Sequence, residues 1–191
     1  MKQLPNYGDV RQLARCVYCG GDTGTRDHVP SKILLDEPYP SNLPVVPACH
    51  SCNEAVSLDE EYLACLIECT LVGSAFADKA RREKVKRILS KRPRLVSMLT
   101  QSRQVTDGTT FFRAKPERVR NVIMKLARGH AAFELNEPQF ADPALVTIVP
   151  LTSMNTNERE RFETPPWSSM WPEVGSRAMH RLIVSDPGAT V

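Results

Sequence analysis

Two Cys-x2-Cys pairs, Cys16-Val-Tyr-Cys19 and Cys49-His-Ser-Cys52, carry the clearest chemical signal in the chain. Each pair can wrap one ion through a tight knuckle, and four thiolates complete a closed tetrahedral zinc site with no position open to substrate. The expected role of zinc is therefore structural, with redox thiols or unrelated core cysteines as the competing readings. The interval between the pairs is longer than a common zinc ribbon needs, so it has room for a second function. It holds Thr25-Arg-Asp-His-Val-Pro-Ser-Lys32 and Ser41-Asn-Leu-Pro-Val-Val46, and Asn53 directly follows the last of the four cysteines. Asp27 and Asn53 offer hard oxygen donors, and the imidazole of His28 can take a proton from water near neutral pH. Against this stands a plainer reading in which Asp27 caps a surface turn, His28 is incidental, and Asn53 and Asn42 are cap or turn residues.

The order of these features resembles that of HNH (ββα-metal, His-Me finger) endonucleases: zinc knuckle, Asp-His pair, Asn-Leu step, second knuckle, closing Asn. The resemblance covers residues 16 to about 54. The fuller string TRDHVPSK, NLPVVPACHSCN and SLDEEY is similar to a bacterial group of predicted HNH proteins as far as about residue 62, and KLARGHAAFE carries a vaguer similarity. The resemblance implies a ββα unit with Thr25–His28 on its first strand, Leu43–Val46 on its second, and the chain from Cys49 to Ala55 entering the helix. It further implies that Asp27 and Asn53 hold a catalytic Mg²⁺ or Mn²⁺, that His28 is the general base, and that Asn42 supports the base histidine through its backbone carbonyl. Asn53 stands where many family members have His, a variant that favours Mg²⁺ over a softer ion. Products with a 5′ phosphate and a 3′ hydroxyl are also what the family implies.

Charge is unevenly spread. Residues 1–60 carry 5 Lys/Arg against 8 Asp/Glu, residues 61–130 carry 16 against 6, and residues 131–191 carry 4 against 8. The cationic middle third suits a polyanionic partner, since each phosphate neutralised releases condensed counterions. Beside a nuclease module, Arg26, Lys32, Arg81, Arg82, Lys84, Lys86 and Arg87 are the candidate contacts to a DNA backbone. In an isolated helical protein the same block would be a solvated face.

The elements that must position these residues fall into three stretches. Residues 1–56 open with a lead-in around Val10, Leu13 and Ala14, then form a Gly- and Pro-rich module too short in apolar runs to fold without a staple. Residues 57–135 read as helical. Ser57 and Glu60 form a capping box for a helix from Leu58 toward Leu71. A second helix is expected from about Phe76 to Ser90, burying Val85, Ile88 and Leu89. Pro93 separates it from a third containing Leu95 to Leu99, and Pro116 opens a fourth with an apolar stripe of Val119, Val122, Ile123 and Leu126 that Gly129 ends or interrupts. Between them TDGTT at 106–110 reads as a turn. Residues 136–191 are expected to be an extension with short strands at 145–149 and 178–184. Cys65 and Cys69 lie among apolar residues and read as buried thiols, whereas His130, His180, Trp167 and Trp171 suggest no chemistry.

The fold class expected is therefore α+β: a zinc-stapled ββα module, a mostly helical basic region, and a short β-containing tail. The function expected is metal-dependent DNA hydrolysis, without strong sequence preference and with a homodimer possible. The rival reading is a catalytically inactive, zinc-stabilised module that binds nucleic acid or protein. No apolar run approaches the length of a membrane span and the opening residues lack a secretory signal, so a cytoplasmic location is expected.

Overall fold

A computed structural model describes residues 14–150 and 153–163. Its first unit is an antiparallel hairpin of β1 (Thr25–His28) and β2 (Val45–Ala48), followed at once by the short helix α1 (His50–Ala55). The register pairs Thr25 with Ala48, Asp27 with Val46 and His28 with Val45. Both Thr23 and Thr25 donate their hydroxyls to the Ala48 carbonyl, at 3.0 and 2.9 Å, which fastens the open end of the hairpin. The second strand begins at Val45, later than the expected Leu43. Leu43 donates instead to the Pro40 carbonyl, closing a turn that buries it against Leu35.

Helix α2 (Ser57–Val72) runs as its apolar spacing foretells and stops at Gly73, whose φ of 70° is the left-handed conformation that ends a helix cheaply only in glycine. The expected capping box is absent. Val56 is the N-cap, and Glu60 turns into the protein, where a buried lysine claims its carboxylate. The helix expected over 76–90 is broken: a 3-10 turn at Ala77–Lys79 precedes helix α3 (Glu83–Lys91). The cause is tertiary. Glu68 of α2 accepts hydrogen bonds from the backbone amides of Arg81 (2.6 Å) and Arg82 (3.3 Å), and so holds the chain out of helix just before α3 begins.

Helix α4 (Pro93–Ser102) starts on its proline, and then β3 (Arg103–Thr106) and β4 (Thr109–Phe112) form a second hairpin. Asp107 and Gly108 both have positive φ, 50° and 75°, as a two-residue hairpin turn requires. The turn at TDGTT was foreseen; its flanking strands were not. Helix α5 (Pro116–Glu134) passes straight through Gly129, and α6 (Thr156–Glu163) closes the described chain.

Two main cores result. One packs Tyr62, Cys65, Leu66 and Cys69 of α2 against Val85, Leu89, Leu95 and Leu99. The other joins Cys16, Val17 and Tyr18 of the first knuckle to Val29, Val46 and Ala48 of the hairpin, and is sealed by Ala132, Leu126 and Phe133 of α5. Gly129 allows that seal, because a Cβ there would lie 2.7 Å from Cγ2 of Val29 and 3.3 Å from the Tyr18 hydroxyl. The tail departs from expectation. Residues 145–149 are irregular, with Leu145 80% exposed, and among the described residues no strand pairs with them. The second expected strand at 178–184, the tryptophans 167 and 171, and most of the N-terminal lead-in lie outside the described residues. Among the described residues no helix is long and apolar enough to cross a membrane.

Candidate metal centre and active site

The first knuckle is a backbone device. Gly20, at φ 75°, donates to the Cys16 carbonyl at 2.8 Å, and Cys16 donates to the Gly21 carbonyl at 2.8 Å, so the turn brings both sulfurs of its pair to one side. The second knuckle is the start of α1. Cys49 is its N-cap, and its sulfur accepts from the Cys52 amide at 3.4 Å. Because β2 leads directly into Cys49 and β1 follows the first knuckle, the hairpin register superimposes the two pairs. The four sulfurs lie within 4.8 Å of one another, and Cys19 and Cys49 are 3.9 Å apart. Zinc–sulfur bonds of about 2.3 Å place tetrahedral sulfurs about 3.8 Å apart, so the cluster fits one such ion. The Ser51 hydroxyl, with the Cys52 amide, pulls the Cys49 thiol down to about 6, in the thiolate form a metal requires, while burial pushes Cys52 up. Cys16, Cys19, Cys49 and Cys52 thus form a cluster able to hold a metal ion such as zinc.

Alternation along β1 separates the two central candidates. Asp27 faces inward and is buried, whereas His28 is half-buried at the strand end. The Asp27 carboxylate is held through Oδ2, which accepts the Tyr18 hydroxyl at 2.8 Å and the Lys125 ammonium at 3.0 Å. The same ammonium lies 2.9 Å from Oε1 of Glu60 and 3.3 Å from the main-chain carbonyl of Asn53. Asn53 is held through Nδ2, which donates to Thr25 Oγ1 at 3.1 Å and to the Arg26 carbonyl at 3.5 Å. These bonds fix Asp27 by one oxygen and Asn53 by its nitrogen, and they use neither Oδ1 atom. Both Oδ1 atoms are hard donors of the kind Mg²⁺ and Mn²⁺ accept, so the side chains fit such an ion in chemical type. The cluster already contains one cation, Lys125.

Burial, the largest single influence, works against the charge on Lys125, but Asp27 and Glu60 together outweigh it and its pKa is raised. Glu60 is also raised, because burial outweighs the help it receives from Lys125. Burial and then the Lys32 ammonium lower His28 below its ordinary value, against the pull of Asp27, which keeps the ring neutral and able to accept a proton near neutral pH. Asn42 stands exposed in the turn before β2. Among the described residues, neither His28 nor Asn42 hydrogen-bonds to the Asp27–Lys125 cluster. The structure therefore brings the Asp27 carboxylate and the Asn53 main-chain carbonyl to one ammonium, ties the Asn53 side-chain amide to Thr25 and the Arg26 carbonyl, and leaves His28 on the opposite face of the strand.

The basic candidates divide into two groups. Arg82 is an internal tie, paired with Asp36 at 2.9 Å and donating to the Leu35 carbonyl. Lys84 pairs with Glu37 at 3.1 Å and sits 4.3 Å over the Tyr39 ring, with Lys32 5.5 Å from the same ring. Lys86 reaches Glu83 at 3.5 Å, and Arg87 donates to the Glu83 carbonyl at 3.4 Å. Arg26, Arg81 and Arg87 are exposed, and Arg87, Lys91 and Arg92 line an open groove of about 440 Å³ beside α3. Arg82 and Lys84 therefore fasten the start of α3 to the loop at 35–39.

Lys125 and Tyr18 were not singled out from the sequence, and Glu60 was read only as half of a capping box. One signal was present: Lys125 falls on the stripe formed by Val122, Leu126 and Gly129, where a charged residue must be buried and therefore paired. Cys65 and Cys69 are buried as expected, and burial pushes their thiols up to about 12 and about 11. Comparison of the chain with family models, curated proteins and solved structures gave no match.

Proposed function

We propose that this chain is a metal-dependent endonuclease of the HNH kind that hydrolyses DNA phosphodiester bonds, with structural zinc at its four knuckle cysteines. The observation that carries this reading is the meeting of the Asp27 carboxylate and the Asn53 main-chain carbonyl at Lys125, beside a β-hairpin whose ends meet at four sulfurs, with His28 next to Asp27 at the strand end. Asp27 and Asn53 would hold Mg²⁺ or Mn²⁺ through the oxygens that their protein partners leave unused. Bound there, such an ion supplies Lewis-acid polarisation of a phosphate and stabilises charge on the leaving oxygen.

His28, kept neutral by burial and by Lys32, takes the proton of the attacking water. Asn42 fills the family's middle position, which supports the base. Arg26, Arg81 and Arg87 are exposed and placed to contact a sugar-phosphate backbone without reading sequence. One ββα unit acts on one strand, so a monomer yields nicks and a dimer is needed for a double-strand break.

A second reading is favoured by one specific observation. Lys125 occupies the space between Asp27, Glu60 and the Asn53 carbonyl as a resident cation. A site neutralised in that way suits a zinc-stabilised module that binds nucleic acid without cutting it. Supercoiled plasmid incubated with Mg²⁺ or Mn²⁺ separates the two. The endonuclease reading expects wild type to nick, and His28→Ala to retain DNA binding while losing at least about a hundredfold in rate. DNA binding by both proteins with nicking by neither establishes the binding module instead.

A further inference from the structure

We infer that Lys125 is a built-in counter-ion that positions Asp27 and sets how weakly the site takes a divalent cation. The inference rests on reading Asp27 as a divalent-ion ligand. It deepens that reading by assigning a role to a helix far from the motif.

Lys125 and Asp27 are both more than nine-tenths buried, and the ammonium touches three oxygens from three separate elements: Asp27 of β1, Glu60 of α2 and the Asn53 carbonyl of α1. Tyr18 donates to the same Asp27 oxygen that Lys125 holds, so that carboxylate cannot rotate without breaking two bonds. The lysine is itself fixed. Its helix lies against the hairpin at Gly129, where there is no room for a Cβ, so the backbone that carries Lys125 is held against Val29, and three oxygens hold the ammonium.

Two consequences follow from charge alone. The buried formal charges of Asp27, Glu60 and Lys125 leave one net negative. Without the ammonium the site carries two, and with Glu60 neutralised it carries none. A nearby positive charge repels any divalent ion that shares Asp27, and in this weakly screened interior the effect on affinity is on the order of tenfold or more per unit charge. Fixing Asp27 by one oxygen serves turnover in the opposite sense, because a positioned ligand needs no reorganisation when the phosphate arrives. Lys125 therefore trades affinity for alignment, and the two effects separate experimentally.

The test uses the full zinc-loaded chain with Mn²⁺ as the probe. Mn²⁺ binding is followed by electron paramagnetic resonance, and plasmid nicking is measured in parallel at saturating Mn²⁺. Asp27→Asn serves as the control that abolishes the bound signal. The expected order of affinity is Lys125→Met above wild type above Glu60→Gln, with about tenfold steps. Lys125→Met should also nick more slowly than wild type despite binding the ion more tightly, a split that simple loss of fold does not produce. If Lys125→Met fails to retain zinc, weaker Mn²⁺ binding by Glu60→Gln decides the matter alone. Equal affinities, a fall in both variants, or no Mn²⁺ binding by any of the proteins overturns the inference. The ladder without wild-type nicking sustains Lys125's role and removes the nuclease. Wild-type nicking with a flat ladder does the reverse.

Discussion

Six cysteines share this chain, and their surroundings divide them into two chemical populations. Cys16, Cys19, Cys49 and Cys52 converge, and the Cys49 thiol is pulled down to about 6 by Ser51 and the Cys52 amide. Cys65 and Cys69 lie in the core of α2, where burial pushes them up to about 12 and about 11. The reacting species in alkylation is the thiolate, so a raised pKa keeps the two core cysteines protonated and unreactive at pH 8. The folded zinc-loaded chain treated with iodoacetamide at that pH should keep Cys65 and Cys69 unmodified by mass spectrometry, and both should be alkylated only in denaturant. Alkylation of both in the folded chain would mean that the core cysteines are not protected as described. At this scale much was legible in the sequence. The knuckles, the Asp27–His28 pair and Asn53 could be picked out because their types and spacing are unusual. Lys125 and Glu60 could not, since a lysine in a cationic stretch and a glutamate near a helix start each have an ordinary explanation that only a tertiary contact displaces.

The elements tell a similar story about local and distant causes. Helices α2, α4 and α5 follow from apolar spacing, the proline starts and Gly73, all of which are local signals. The break before α3 is imposed by Glu68 from another helix, and no window over residues 76–90 contains that information. The run at 145–149 has strand composition but pairs with no strand among the described residues, and composition alone does not make a strand. Gly129 is the most instructive case. It reads as a possible helix end, yet it is the point where α5 approaches the hairpin, with a Cβ position 2.7 Å from Val29. Alanine normally improves a helix by about 1 kcal/mol over glycine. Here the overpacking against a stiff β-branched neighbour costs about 1–3 kcal/mol. Gly129→Ala should therefore lower the melting temperature of the zinc-loaded chain, and a rise would show that α5 does not press on Val29.

Taken whole, the molecule uses two fastenings around one short hairpin. Four sulfurs gather its open end, and α5 covers its inner face through Gly129, Ala132 and the buried ammonium of Lys125. The hairpin needs such fastening, because its strands are four residues each and two strands in isolation are only marginally stable. Such an arrangement lets a small unit hold a carboxylate and an amide in fixed positions, which the proposed chemistry requires of Asp27 and Asn53. Crystals of the zinc-loaded chain soaked in Mn²⁺, with anomalous scattering recorded at the absorption edges of both metals, test this most directly. The account predicts a zinc peak among Cys16, Cys19, Cys49 and Cys52 and a separate manganese peak against the side-chain oxygens of Asp27 and Asn53. A zinc peak alone, with the Lys125 ammonium still seated between Asp27 and Glu60 at saturating Mn²⁺, would contradict it.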